Sequence, residues 1–138
     1  AASDVYKRQA QVLITNELKN LPFKGTFHLE EGYYYFRNID NRILFGGGRV
    51  LDIEGETTTE LAQTNLIQNH LEKILKEVIL PDSPFKIEHR WSGIMGVGAH
   101  KAPILKEISS NVFCGVRLGG MGVAIGSLTG KELAAFAN

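Results

Sequence analysis

The sequence predicts an α+β fold in which several strands are covered by one long helix, and three observations point there. Short runs rich in β-branched and aromatic residues fall near positions 11–15, 33–39, 42–46, 85–91 and 112–116. Apolar residues recur at helical spacing from 57 to 80, a stripe that must bury itself against a sheet. The chain then closes on a strand, a glycine-rich turn and a second helix.

Taken in order, residues 1–9 carry neither periodicity nor an apolar core and are set aside as a ragged or non-native start. Val12-Leu13-Ile14 forms the heart of the first strand, and Asn20-Leu21-Pro22 interrupts the chain after it. The runs 33–39 and 42–45 are joined by Asp40-Asn41, two residues that tolerate the positive φ of a tight hairpin turn. The hairpin runs into Gly46-Gly47-Gly48-Arg49, where missing side chains permit a sharp bend or a close approach. Thr57 and Glu60 have the spacing of a capping box, which starts the long helix there. Leu61, Ile67, Leu71, Ile74, Leu75 and Val78 continue it until Pro81, with Ile67, Leu71, Ile74 and Val78 expected inside. After the 85–91 strand come a poorly periodic glycine-rich stretch, 92–100, and a loop around Pro103. The last strand, 112–116, leads through Arg117-Leu118-Gly119-Gly120-Met121-Gly122 into a final helix over 121–136.

Composition narrows the function classes. The 15 Lys and Arg balance the 15 Asp and Glu, which removes the basic footprint of a nucleic-acid or anionic-membrane binder. One cysteine, Cys114, excludes an internal disulfide framework, and His28, His70, His89 and His100 are too scattered for a Cys/His metal site, so no metal is expected. No apolar run approaches the roughly 18 residues of a membrane span, and no signal-peptide pattern is seen. A soluble, cytoplasmic protein is the expectation.

The terminal strand–turn–helix is the unit that carries chemistry. Gly120-Met121-Gly122 at a helix start turns backbone N–H groups and the positive end of the helix dipole towards an anionic or electron-rich ligand. Gly120, Gly122 and Gly126 imitate a dinucleotide fingerprint, but only 16 residues follow Gly122 and they hold no second strand for a βαβ unit. For Gly119, Gly120 and Gly122 ligand contact and a purely structural turn stand level. Gly126 and Gly130, inside the helix, call for a tight contact on that face, most simply another strand or helix.

The order of these segments resembles a known family. Gln11-Val12-Leu13-Ile14-Thr15, Tyr33-Tyr34-Tyr35-Phe36-Arg37, Arg42-Ile43-Leu44-Phe45-Gly46-Gly47, Trp91-Ser92-Gly93 and Gly119-Gly120-Met121-Gly122, before a helix ending Gly130-Lys131-Glu132-Leu133-Ala134, resemble the C-terminal part of FAD-dependent oxidoreductases of the D-amino-acid oxidase, glycine oxidase and sarcosine oxidase group. The resemblance spans about residues 10–137. It implies a mainly antiparallel substrate-domain sheet over 10–110, and a last strand and helix over 111–138 that complete a Rossmann-like FAD domain. The segment that would hold the ADP half of FAD is missing from the chain, so the resemblance implies a fragment.

Carried over by position, the resemblance places Arg117, Leu118, Gly119, Gly120, Met121, Gly122 and Val123 along the flavin ring and makes FAD the cofactor. It implies hydride transfer from an amine or amino-acid-like substrate, with no side-chain base required. Similar enzymes often carry Arg two residues after Trp-x-Gly to pair with a substrate carboxylate, whereas here Ile94 and then Met95 follow Gly93. Arg117 is the substitute candidate for an anionic substrate group, and a structural arginine at a strand end fits equally. Tyr35 and Arg49 are further candidate substrate contacts. A core or sheet-surface tyrosine and a solvent-exposed arginine are their plainer readings. Cys114 reads as a small buried hydrophobe, with covalent flavin attachment as the alternative. His89 reads as a structural histidine or a ligand-orienting one. The enzymatic reading competes with a stand-alone, non-catalytic α+β binding or interaction domain.

Overall fold

The computed structural model describes residues 5–136, which form two compact units. One unit is Gln9–Ile94; the other joins Met95–Asn138 to the start of the first strand. The division between them falls within the fifth strand.

The Gln9–Ile94 unit is built on a five-stranded sheet of order β2-β3-β4-β1-β5. Its strands are β1 (Val5–Thr15), β2 (Thr26–Leu29), β3 (Tyr34–Ile39), β4 (Arg42–Gly47) and β5 (Ile87–Gly98). β2, β3, β4 and β1 pair antiparallel in succession, with Tyr35 opposite Gly46 and Val12 opposite Gly46 on the other side. Asp40 and Asn41 take φ of 46° and 58°, both left-handed, as a tight hairpin matching the twist of its strands requires. β1 starts at Val5, so residues 5–9 are strand rather than a ragged start, and residues 1–4 lie outside the described ones. β5 runs to Gly98, through the stretch that its glycines mark as irregular. β2, and a further strand over Ile104–Ser109, are strands that the pattern does not announce.

The core lies between one face of this sheet and α1 (Asn65–Ile74). Leu13, Tyr34, Phe36, Ile43 and Phe45 meet Ile67, Leu71, Leu75, Ile79 and Leu80 there. Phe27 stacks on Phe36 at 4.7 Å between ring centroids, with Phe23 edge-on to both. The helix departs from expectation at both ends. It starts eight residues late, because Thr64 is its N-cap and accepts from the Ile67 N–H. Thr57 instead donates to the Ile53 carbonyl at 2.6 Å inside a turn. At the other end Leu75–Ile79 forms a π turn, closed by Leu80 N donating to Leu75 O at 2.7 Å. The wider turn rotates the stripe, so Ile79 and Leu80 bury while Val78 is 63% exposed and Ile74 half-buried. Leu61, ahead of the helix, is also exposed.

A buried polar network fixes the late start. The Gln11 amide donates to Glu56 Oε1 at 2.8 Å and Thr64 Oγ1 at 3.1 Å, and accepts from Thr64 N at 3.0 Å and Gln68 Nε2 at 3.1 Å. Gln9 donates to the same Glu56 oxygen and accepts from Ala62 N. Glu56 is 1% exposed, and its Oε2 has no hydrogen-bond partner among the described residues. Gln68 Oε1 in turn accepts from Arg90, whose second arm pairs with Glu72.

In the second unit β6 (Ile104–Ser109) and β7 (Val112–Val116) form a separate antiparallel hairpin, so β7 is not a strand of the larger sheet. Asn111, at φ 60°, makes the turn. α2 (Gly122–Phe136) lies on this hairpin through the side of Thr129 and Leu133, which face Gly115. A Cβ at Gly126 or Gly130 would meet nothing within 4 Å, so the tight contact expected there is absent among the described residues. Val123, Leu128 and Phe136 are likewise exposed.

Leu71→Ala should cost about 2–5 kcal/mol of unfolding free energy, because its side chain is fully buried in the core. Val78→Ser should stay within about 0.5 kcal/mol. Denaturant midpoints check both, and a large loss at Val78 would contradict the rotated stripe. Glu56→Ala leaves two buried amide donors without their shared acceptor, and should cost about 1–3 kcal/mol in the same assay.

Candidate functional site

The strand end and the turn after β7 hold the most unusual backbone of the second unit. Arg117, Gly119 and Gly120 have φ of 62°, 59° and 82°. Glycine occupies the left-handed region freely, whereas a side-chain-bearing Arg117 there is strained. Three contacts hold the conformation. Arg117 Nε and Nη2 both donate to the Ala102 carbonyl, at 3.3 and 3.0 Å. Gly119 N donates to Gly96 O at 3.0 Å, and Met121 N closes back onto Leu118 O at 2.8 Å. Gly96 can pass close beside Arg117, because a Cβ there would sit 3.6 Å from the Arg117 Cα.

The outer surface of this turn is bare backbone. A Cβ on Gly119 would meet nothing within 4 Å, and one on Gly120 would meet only Met95 Sδ, at 3.0 Å. Gly122 opens α2, so its N–H and that of Val123 belong to the first turn, where no intrahelical acceptor exists. Positive helix-dipole potential, orphan N–H groups and an open glycine surface coincide here. Such a surface suits an anionic or electron-rich group. Arg117 to Val123 are therefore brought together on one short segment, while the Arg117 guanidinium points to Ala102.

In the Gln9–Ile94 unit the sheet face away from α1 carries Tyr35, and Arg49 opens the 3-10 turn Arg49–Leu51 after β4. Tyr35 lies across Gly46, where a Cβ would come within 2.7 Å of its hydroxyl oxygen, so glycine at 46 makes room for the phenol. Gly47 is required more strictly, since a Cβ there would fall 2.1 Å from the Tyr33 carbonyl oxygen. The half-buried Arg49 guanidinium stands 5.8 Å from the Tyr33 ring centroid, in cation–π range. Burial pushes the Tyr35 phenol above its ordinary range, opposed by the neighbouring Arg49 charge. Tyr34, on the opposite face, is raised by burial and by the Glu30 carboxylate.

The remaining candidates separate. Cys114 is half-buried and free. His89 is exposed, and His70 lies 5.7 Å from the Tyr34 ring at the core's edge. Among the described residues no three His, Cys, Asp or Glu side chains gather as a metal would need. No helix among them is long and apolar enough to cross a membrane. Sequence reasoning missed the Gln9–Gln11–Glu56–Gln68 network. Its signal was two glutamines at alternate positions leading into the apolar run Val12-Leu13-Ile14.

The profile of the FAD dependent oxidoreductase (DAO) family matches residues 2–136. Among solved structures, L-proline dehydrogenase from P. horikoshii aligns with 94% of this chain and 35% of its own, at TM-score 0.72 and 16% identity. Iminodiacetate oxidase (IdaA) from Chelativorans sp. BNC1 aligns over 95% of this chain and 35% of its own, at 0.68 and 20%. Glycine oxidase from Bacillus cereus ATCC 14579 aligns over 94% and 35%, at 0.69 and 13%. The chain thus spans about a third of the length of these structures, and they share its fold. No sequence among curated proteins matches it.

Because the phenols of Tyr34 and Tyr35 titrate above the ordinary value of 10.0, the folded state holds their protons more tightly than the unfolded chain. Their contribution to stability is complete below that value and is lost as pH rises through the raised folded values. Unfolding midpoints measured across the alkaline range should fall, and Tyr35→Phe should flatten part of that fall. A slope that neither phenylalanine variant changes would contradict the burial described for these rings.

Proposed function

The chain belongs to the FAD dependent oxidoreductase family, and we propose that it is the substrate-side and flavin-edge part of an enzyme oxidising an amine or amino-acid-like small molecule. The observation that carries this reading is the Arg117–Val123 segment, with three left-handed residues, open glycine backbone and a helix N-terminus. FAD, when bound, supplies the acceptor for a hydride leaving the C–H bond beside the substrate nitrogen, whose lone pair closes to a C=N⁺ bond.

The chain's own residues bind and orient. Backbone N–H groups of Gly120, Gly122 and Val123 hold the carbonyl edge of the flavin, where a helix N-terminus favours the negative charge that reduction brings. Leu118 and Met121 flank that edge. Arg117 holds the turn through the Ala102 carbonyl. On the sheet face, Tyr35 donates from a phenol kept neutral by burial, and Arg49 supplies a cation for a polar or anionic substrate group. Residues 10–110 serve as the substrate domain and 111–138 as the closing strand and helix of the FAD domain. The exposed Val123 and Leu128 of α2 are where the rest of that domain packs. A soluble enzyme working in the cytoplasm agrees with this reading.

The test is expression of the full-length polypeptide that carries this chain, beside the chain alone. The longer protein should purify yellow and bleach when mixed anaerobically with a good amine substrate, whereas the isolated chain should be colourless, having no segment for the phosphates. Gly122→Val, which puts a branched side chain at the helix start, should lower flavin retention and turnover together. A full-length protein without flavin would favour a non-catalytic binding domain instead, and normal FAD binding by Gly122→Val would move the flavin away from this turn.

A further inference from the structure

Two stretches of chain close on Arg117. Gly96 passes its backbone, where a Cβ would sit 3.6 Å from the Arg117 Cα. Arg117 Nε and Nη2 donate to the Ala102 carbonyl at 3.3 and 3.0 Å. Residues 97–101 therefore form a loop whose two ends meet on one residue. The same closure reaches the glycine turn, because Gly119 N donates to Gly96 O at 3.0 Å. Arg117 holds a left-handed φ of 62°, which an L residue keeps only where its surroundings impose it. Glycine would take that conformation without strain, so the guanidinium contributes something the backbone alone does not require.

We propose that Arg117 is a positioning residue: it fastens the 96–102 loop to the turn, fixes the N–H groups of Gly120, Gly122 and Val123, and so raises the electron affinity of the bound flavin. The proposal rests on the reading of this turn as the flavin edge. Reduction brings negative charge to that edge, so donors fixed in advance stabilise the reduced form more than the oxidised one. Donors on an unfastened turn must reorient at each reduction, and part of that stabilisation is lost. Two of the guanidinium donors are committed to a backbone carbonyl, and the effect of the residue passes through the turn rather than through substrate. A lysine ammonium can donate to the same carbonyl as a point charge, whereas glycine offers no donor in its place.

The experiment uses the full-length holoenzyme and reads the two-electron midpoint potential of FAD by equilibration with a redox dye, beside steady-state kinetics with the best amine substrate. Arg117→Gly should lower the equilibrium constant for reduction about tenfold, which is about 30 mV. It should lower kcat while KM changes by less than about twofold. Arg117→Lys should keep both near wild type. An unchanged potential in Arg117→Gly overturns the proposal, and a raised KM at unchanged potential does so by making Arg117 a substrate contact. Gly122→Val separates the proposal from the reading it rests on. If that variant shifts the potential and Arg117→Gly does not, only the role of Arg117 falls; if neither does, the flavin lies elsewhere and both fall. A full-length protein that holds no FAD likewise removes both. Amide hydrogen exchange is read without flavin chemistry: the Gly119 amide should exchange about 10- to 150-fold faster in Arg117→Gly than in the wild type, the range of one charge-assisted hydrogen bond. Equal rates overturn the proposal. If Arg117→Gly does not fold, the wild-type amide decides: protection there upholds the fastened turn, and exchange at the open-chain rate overturns it.

Discussion

Burying Gln11 is the constraint from which the arrangement of the Gln9–Ile94 unit derives. The side chain is fully buried, so every one of its hydrogen-bonding positions must be answered. Its two amide hydrogens and two carbonyl lone pairs are answered by Glu56, Thr64 and Gln68. These partners come from the loop after the triple glycine, from the N-cap of α1 and from its first turn. One amide thereby sets how far the loop runs along β1, where the helix starts, and which helix face meets the sheet. Gln68 passes the constraint to Arg90, one residue before Trp91 on β5.

The same constraint explains which parts of the fold were legible in the sequence. The Asp40-Asn41 hairpin was legible because its requirement is local: two residues with positive φ between alternating apolar positions. The final helix was legible because its start coincides with a glycine turn and nothing distant moves it. The start of α1 was not, because Thr57 and Glu60 satisfy a local capping rule that the burial of Glu56 overrides. Its end was not, because a single π turn shifts the inward set from Val78 to Ile79 without altering the composition of the stripe. β2 has four residues, and β6 alternates weakly among exposed positions, so neither stands out from a loop.

The candidate site was legible to a different degree. The segment 117–123 stood out because glycines cluster at a strand-to-helix junction, a local signal. What the sequence could not disclose is what its side chains touch. Arg117 places two guanidinium N–H groups on the Ala102 carbonyl, and Met95 brings its sulfur against Gly120. Both contacts join residues many positions apart, and neither residue type demands its partner. The glycines inside α2 show the converse: helix propensity says they need compensation, yet a Cβ at either would meet nothing within 4 Å among the described residues.

Backbone strain separates the two glycine clusters by purpose. At 46–48 glycine is imposed by the sheet itself, since Tyr35 and the Tyr33 carbonyl occupy the places where side chains would go. Any protein with this strand crossing would need small residues there, whatever it does. At 117–120 no comparable crowding exists, for Gly119 faces open space and Gly120 only the end of a flexible thioether. Arg117 nevertheless adopts a left-handed conformation that costs an L residue about 1–2 kcal/mol, and its guanidinium bonds to Ala102 hold it there. A conformation maintained against its local preference, with nothing crowding it into place, is one whose outer surface is being kept available. That difference, rather than the number of glycines, is what supports placing the proposed flavin contact at the strand-to-helix turn and reading the triple glycine as a feature of the architecture.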